Sequence, residues 1–271
     1  MGADRSLKPI PHPTSPLKGE GHPSSSLPPL QGEGWGGDGC LWTNPCDART
    51  WTRDYDAMMR DYYRQRAPDY EATYDRPERQ ADLAALRARL ATCFAGRRML
   101  DVACGTGYWS ACFAPAAAEV VGVDANDAAL EIASAKNLRT TQAPVHFCVG
   151  DAYALLADLG TFEAAFVGFF WSHVPHVELA HFIASLHARL APGARVVMLD
   201  NTYVEGSSTP IEFTDADGNA WQQRPLADGS VHHVLKNFPE RAEMLAALLP
   251  HATATHWWRL DHYWWFEYRL R

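Results

Sequence analysis

Apolar positions in this chain change their period several times, and the changes mark out its elements. Between Glu78 and Phe94, Leu83, Leu86, Leu90 and Phe94 fall on one helical face with charges opposite, which predicts an amphipathic helix laid on a sheet and ended by Gly96. Ahead of it, Tyr63, Ala67, Tyr70 and Tyr74 recur at helical spacing from Asp54 to Tyr74, with Pro68 bending or restarting that helix; the segment reads as a small cap. Beyond Gly96, short β-rich runs alternate with helical patterns. The runs are Arg97 to Cys104, Glu119 to Asp124, Val145 to Val149, Phe162 to Phe170 and Ala194 to Leu199; the helices fall near Tyr108 to Ala114, Asp127 to Leu138 and Val177 to Leu190. Such alternation predicts βαβ units and a parallel sheet covered on both faces. The ending differs. After a helix at Glu240 to Leu249, the runs Thr253 to Leu260 and Tyr263 to Leu270 are separated only by Asp261 and His262, so they pair as an antiparallel hairpin.

Two regions stand outside the alternation. Residues 1–45 are dense in Pro, Gly and Ser and nearly repeat themselves, Ser15 to Gly21 returning as Leu27 to Gly34; with few bulky apolar groups they are expected to be disordered. They read either as an interaction arm or as an extension upstream of a natural start at Met58 or Met59. Residues 201–238 carry two turn signals, Asp215-Ala-Asp-Gly218 and Ala227-Asp-Gly229, which predict a β-meander inserted at the mouth of the site. The chain then divides into the extension (1–45), a helical cap (46–95) and the α/β domain (96–271).

Composition narrows the function classes. The net charge of -8, from 24 Lys+Arg against 32 Asp+Glu, argues against a nucleic-acid partner, whose phosphates are held by cations. Six cysteines without a C-x-x-C pair suit a reducing compartment, and no apolar run reaches membrane-spanning length, so a cytoplasmic location with no membrane partner is expected.

The sharpest local signal is Leu100-Asp101-Val102-Ala103-Cys104-Gly105-Thr106-Gly107, a strand running into a glycine turn that opens a helix. Glycines there let backbone approach a ligand, and the helix start offers free N–H groups to negative charge. The loop nearly matches the dinucleotide fingerprint, so the glycines alone leave nicotinamide and adenosyl cofactors both open. Asp124, ending the second strand, suits a ribose diol in either case. Asp151, ending the third, suits an exocyclic amine, and Asp101 adds negative charge where a pyrophosphate is repelled and a sulfonium is welcome.

Together, Asp101 to Gly107, Val121-Gly-Val-Asp124, Val149-Gly-Asp151 and the closing hairpin resemble class I S-adenosylmethionine-dependent methyltransferases, in the broad bacterial group acting on small molecules. The resemblance, from about Tyr62 to the C-terminus, implies a Rossmann-like, doubly wound, mostly parallel seven-stranded sheet. It also implies S-adenosyl-L-methionine as cofactor and S-adenosyl-L-homocysteine as product. On this chain, Asp101, Ala103, Gly105, Thr106 and Gly107 would hold the methionine part, Asp124 and Ala125 the ribose side, and Asp151 and Ala152 the adenine. Gly168, Phe169 and Phe170 would line the methionine end, and Tyr62 or Tyr63 would close over it or simply pack the cap.

Base-modifying relatives resemble one another in an Asn/Asp-Pro-Pro-aromatic tetrad after the fourth strand. Phe169-Phe-Trp-Ser172 stands there instead, which leaves a small-molecule acceptor. His173 and His176 follow in the same loop as candidate bases, or as decoration at the start of the next helix, with Tyr203 as a further candidate. Asn201, Glu205, His233, Lys236 and Asn237 of the insertion are acceptor-side candidates. No metal set is complete, and the chain is expected to be a monomer or homodimer. The Trp257-Trp258 and Trp264-Trp265 pairs, on alternating strands, are expected to pack one ring on each face. A non-catalytic cofactor-binding module and, less favoured, a nicotinamide-dependent oxidoreductase remain as rival readings.

Overall fold

The computed structural model describes residues 48–136, 138 and 143–271. The predicted disordered extension lies outside them. The first described element is helix α1 (Ala48–Arg66), which starts upstream of the expected Asp54. At Pro68, where an i−4 hydrogen bond is lost, the chain tightens into a 3-10 turn (Ala67–Tyr74) rather than a second α-helix. Helix α2 (Gln80–Cys93) follows, with Leu83, Leu86 and Leu90 buried, and Gly96 leaves it at a positive φ of 67°.

The alternating region forms β1 (Arg98–Val102), α3 (Ser110–Phe113), β2 (Glu119–Asp124), α4 (Asp127–Ala135), β3 (Val145–Val149), β4 (Phe162–Gly168), α5 (Leu179–His187) and β5 (Leu190–Asn201). Helix α3 is a single turn, shorter than expected at both ends, and Pro115 bars its continuation past Ala114. Asn126 opens α4 by accepting from the N–H groups of Ala128 (3.1 Å) and Ala129 (3.4 Å). The insertion holds the expected meander, β6 (Phe213–Thr214), β7 (Ala220–Pro225) and β8 (Val231–Leu235), paired antiparallel. Helix α6 (Arg241–Leu248) begins in a capping box between Glu240 and Glu243, and the chain closes with β9 (Ala252–Arg259) and β10 (Tyr263–Leu270).

The main sheet has seven strands in the order β3-β2-β1-β4-β5-β10-β9. β1 to β5 pair parallel, and β10 runs antiparallel to both β5 and β9. Each face carries its own apolar cluster. α5 and α6 cover one through Phe182, Ile183, Leu186, Met244 and Leu248; α2 and α3 cover the other through Leu83, Leu86, Leu90 and Phe113. The tryptophans of β10 divide as the strand period requires: Trp264 is buried with the first cluster and Trp265 with the second. Phe266 is fully buried beside Trp264 and Tyr268, so Phe266→Ala is expected to cost about 3–5 kcal/mol. Urea denaturation measures this, and a loss below about 1 kcal/mol would show that β10 is not part of the stabilising core.

A third cluster joins cap to insertion. Tyr55, Met59 and Tyr62 of α1 pack on Trp221, Val234 and Leu235 of β7 and β8, and the Tyr55 hydroxyl donates to the His173 carbonyl at 2.6 Å. Cap and meander thus form one roof over the carboxyl ends of the parallel strands. Among the described residues no helix is long and apolar enough to cross a membrane, and no cluster of metal-ligating side chains is present.

Candidate active site

In the strand order, β2 and β3 lie on one side of β1, and β4 and β5 on the other. The crevice outside the carboxyl ends of β1 and β4 is therefore the place where a doubly wound sheet can admit a ligand. A cleft of about 1010 Å³, open to solvent, lies there. Its floor comes from the glycine turn (Ala103, Gly105, Thr106) and from Asp124, Ala125 and Asn126 after β2. Gly150, Asp151 and Ala152 after β3 and Gly168, Phe169 and Phe170 after β4 complete it, while Tyr63 and Tyr70 of the cap stand above.

Backbone geometry separates the roles of the two glycines. Gly105 has φ +53°, and a Cβ built there meets no atom within 4 Å, so the turn presents bare backbone on its open side. A Cβ on Gly107 would come within 3.1 Å of Ala133 and Phe147; this glycine serves helix packing and does not line the cleft. Ala103 (φ 55°) and Phe169 (φ 59°) hold left-handed conformations without being glycine, and both line the cleft. Backbone strain of this kind persists where the surroundings enforce it, commonly at ligand sites.

Asp124 accepts from the Gly105 N–H at 2.7 Å with one oxygen and from the Asn126 N–H at 2.8 Å with the other. Burial raises its pKa against these opposing hydrogen bonds. The carboxylate keeps acceptor capacity for a diol in the cleft, which it lines. Asp101 lies beneath the turn, 2% exposed, accepting from the Ser110 hydroxyl at 2.5 Å; burial pushes its carboxyl up to about 7, with the Asp124 charge adding to the rise. It does not line the cleft. Asp151 lines the cleft, accepts from the Tyr153 N–H at 2.8 Å and faces Arg60 at 3.4 Å across a half-exposed pair of little energetic weight.

Of the two candidate tyrosines, Tyr63 lines the cleft and Tyr62 is buried between cap and insertion, accepting from Arg66 at 3.1 Å. Sequence reasoning passed over Glu71. It receives the Thr106 hydroxyl at 2.5 Å and pairs with Lys136, tying the cap's 3-10 turn to the glycine loop and to the end of α4. The Tyr-rich spacing marked that segment as a cap but gave no sign of which acid would reach down.

The candidate bases separate. His173 is buried, its Nδ1 is 2.6 Å from the Leu235 carbonyl and its Nε2 is 2.8 Å from the Tyr63 hydroxyl. A carbonyl can only accept, so Nδ1 carries the proton and Nε2 accepts from Tyr63. Burial and the nearby Lys236 and Arg224 charges hold its pKa well below the usual imidazole value. The expected freely titrating base is thus a neutral, two-sided hydrogen-bonding post. His173 is expected to show no NMR titration around pH 6.5. Because the unfolded imidazole takes up a proton below that value and the folded one does not, its contribution to stability is present above pH 6.5 and is lost as pH falls below it. A histidine titrating near its ordinary value at this position would contradict the assignment.

His176 is exposed at the start of a 3-10 turn, where its backbone N–H donates to Asn219, and it lines neither this cleft nor the chamber beside it. Tyr203 stacks edge-on against Phe238 in a separate shallow hollow. Glu205 is exposed, and His233 pairs with Glu212 at 3.0 Å on the outer side of the meander. Asn237 is spent on structure, accepting from Ala220 and donating to Val174 and Asn219.

Two insertion candidates, Asn201 and Lys236, line a second chamber of about 690 Å³, also open to solvent. It shares Tyr63, Tyr70, Phe169 and His173 with the first cleft. Lys236 donates to Asp200 at 2.7 Å and to the Ser172 hydroxyl at 2.6 Å, all three side chains being buried. Burial lowers its pKa to about 8 against the pull of Asp200, and Arg224 and Arg66 lower it further.

Comparison with known proteins agrees with this architecture. Residues 99–193 match the family described as a methyltransferase domain. The demethylmenaquinone methyltransferase of Lactococcus lactis subsp. lactis (strain IL1403) is 29% identical over 111 residues, 40% of this chain and 43% of that one. The chain therefore spans less than half the length of the curated relatives it matches. Among solved structures, the complex of DhpI with SAH superposes with a TM-score of 0.64 at 25% identity, covering 80% of this chain and 96% of that one. The PH0226 protein from Pyrococcus horikoshii OT3 shares the fold at a TM-score of 0.58 and 19% identity, covering 75% of this chain and 99% of that one. With the methyltransferase-domain match on this sheet order, the chain carries a domain of the class I S-adenosylmethionine-dependent methyltransferase superfamily.

Proposed function

We propose that the protein is a methyltransferase that binds S-adenosylmethionine in the cleft at the sheet's switch point and transfers its methyl group to a small molecule in the adjoining chamber. One observation carries the reading: the two cavities meet at Tyr63, Tyr70, Phe169 and His173, so a cofactor in one and an acceptor in the other face each other across a few side chains. The donors fit the cofactor. Asp124 and Asp151 line the first cleft with Arg60 as the only lining cation among the described residues, a balance that suits a sulfonium and an amine better than a pyrophosphate. DhpI was solved with SAH on the same fold, which supports the same choice.

When bound, S-adenosylmethionine supplies an electrophilic methyl group whose departure leaves a neutral thioether, so no acid is required. The chain's own contribution is alignment. Asp124 with the glycine turn holds the ribose side, Ala103 and Gly105 bring bare backbone to the methionine side, and Phe169, Phe170, Tyr63 and Tyr70 exclude water from the junction. Fixing two reactants in line is the large term for such a displacement. His173 orients the Tyr63 hydroxyl toward itself and is not available to take a proton from the acceptor. On this account the rate shows no limb from His173 near pH 6.5.

Incubation with labelled S-adenosylmethionine and a pool of small metabolites, followed by mass identification of the product, tests the reading. A methylated small molecule formed together with S-adenosylhomocysteine is the expected result. Cofactor uptake without turnover over the whole pool would favour a non-catalytic binding module instead. The curated relatives are demethylmenaquinone methyltransferases, but the match takes in only 40% of the chain and does not carry their acceptor across.

A further inference from the structure

The second chamber differs from the first in charge. Arg66, Arg76, Arg79, Arg224 and Lys236 all line it. Lys236 is matched by Asp200. The four arginines make no ion pair with a carboxylate among the described residues; they lean on neutral groups instead. Arg66 donates to Tyr62 and Thr73, Arg76 to the Ser207 carbonyl at 2.8 Å, Arg79 to Ser207, and Arg224 to the Gln222 side-chain oxygen at 2.7 Å. Arg79 is 8% exposed and its Nε has no hydrogen-bond partner at all. Glu78, exposed, accepts from the Ser207 hydroxyl rather than from a guanidinium.

Gathering like charges in a partly buried hollow is unfavourable unless something of opposite sign enters, and an unmet buried guanidinium N–H costs its desolvation. Burial first, and then the Arg224 and Arg66 charges, lower the pKa values of both Lys236 and His173. Arg66 ends α1, Arg76 and Arg79 lie between the cap's 3-10 turn and α2, and Arg224 belongs to β7, so folding the roof over the sheet is what assembles them. Planar guanidiniums converging from several sides match the geometry of an oxyanion, each able to offer paired N–H groups.

We propose that the acceptor is a small organic acid, held in the second chamber by its phosphoryl or carboxyl oxyanion on the four arginines. This rests on the methyltransferase reading for the word acceptor, but the anion site itself does not depend on it. The two cavities then have complementary preferences, a cation on the aspartates and an anion on the arginines, meeting at Tyr63 and Phe169.

The test is calorimetric titration of the full chain, with and without S-adenosylhomocysteine, at an ionic strength of about 0.15 M. The probes are inorganic phosphate, methylphosphonate and acetate, with glycerol as a neutral control. The expected result is saturable uptake of at least one of the three anions and none of glycerol, weakened at least about tenfold in Arg224→Gln and in Arg76→Gln. Methylphosphonate bound more tightly than acetate identifies a phosphoryl group; the reverse identifies a carboxylate. S-adenosylhomocysteine uptake in each variant serves as the folding control. No uptake of any anion by folded protein, or uptake unchanged in both variants, overturns the proposal. Anion uptake by a protein that takes up no S-adenosylhomocysteine would count against the methyltransferase reading and leave the anion site standing.

Discussion

Asp124→Ala is expected to weaken uptake of S-adenosylmethionine at least about a hundredfold, because two charge-assisted contacts to the ribose are lost at roughly 1.5–3 kcal/mol each. The same carboxylate also receives the Gly105 and Asn126 N–H groups, so its removal frees the glycine turn and the start of α4 as well. Asp124→Asn separates the two effects. It keeps an acceptor oxygen for one N–H but loses the negative charge, and it is expected to fall between wild type and the alanine variant. Titration calorimetry on folded protein measures both. An alanine variant within a few-fold of wild type would remove Asp124 from the cofactor site.

Lys236→Met is expected to destabilise the fold by about 3–5 kcal/mol, since it leaves the Asp200 carboxylate buried and unpaired. The pair joins the meander to the carboxyl end of β5, with Ser172 from the loop after β4 as a third member; Asp200 also accepts from the Ser172 N–H at 3.1 Å. Removing both charges in Lys236→Met with Asp200→Leu should recover much of the loss, because a buried pair costs more when halved than when replaced whole. Chemical denaturation of the two singles and the double decides it. A single variant as stable as wild type would mean that the meander is not fastened to the sheet at this point.

The sheet was legible because its strands and helices have different periods and because too few residues separate the last two strands for a crossover. Glu119 to Asp124, Val145 to Val149 and Tyr263 to Leu270 coincide with β2, β3 and β10. Boundaries differed in places: α1 starts at Ala48, α3 keeps only one turn, and β5 runs back to Leu190, where its register against β4 shifts. Within the site, the residues read from the turn and the strand ends were close to one another in sequence and needed only the β-α pattern to be placed. The roof was harder. Whether His173 is free or pinned depends on Leu235, 62 residues away, and on Tyr63, 110 residues away. Glu71 reaches Thr106 across 35 residues. No local pattern marks such partners. The arginine chamber went unread for the same reason: Arg66, Arg76 and Arg79 look like solvated helix charges until the meander brings Arg224 and Lys236 opposite them. Net charge gives no sign of it either, since a chain at -8 still gathers four arginines round one hollow.

The most direct test of the central claim titrates one folded sample separately with S-adenosylhomocysteine and with NADH. The account predicts a single equivalent of S-adenosylhomocysteine bound, abolished or strongly weakened in Asp124→Ala, and no uptake of NADH, whose pyrophosphate would enter a cleft lined by Asp124 and Asp151 with Arg60 as the only lining cation among the described residues. Uptake of NADH in its place, or of neither molecule, would contradict it.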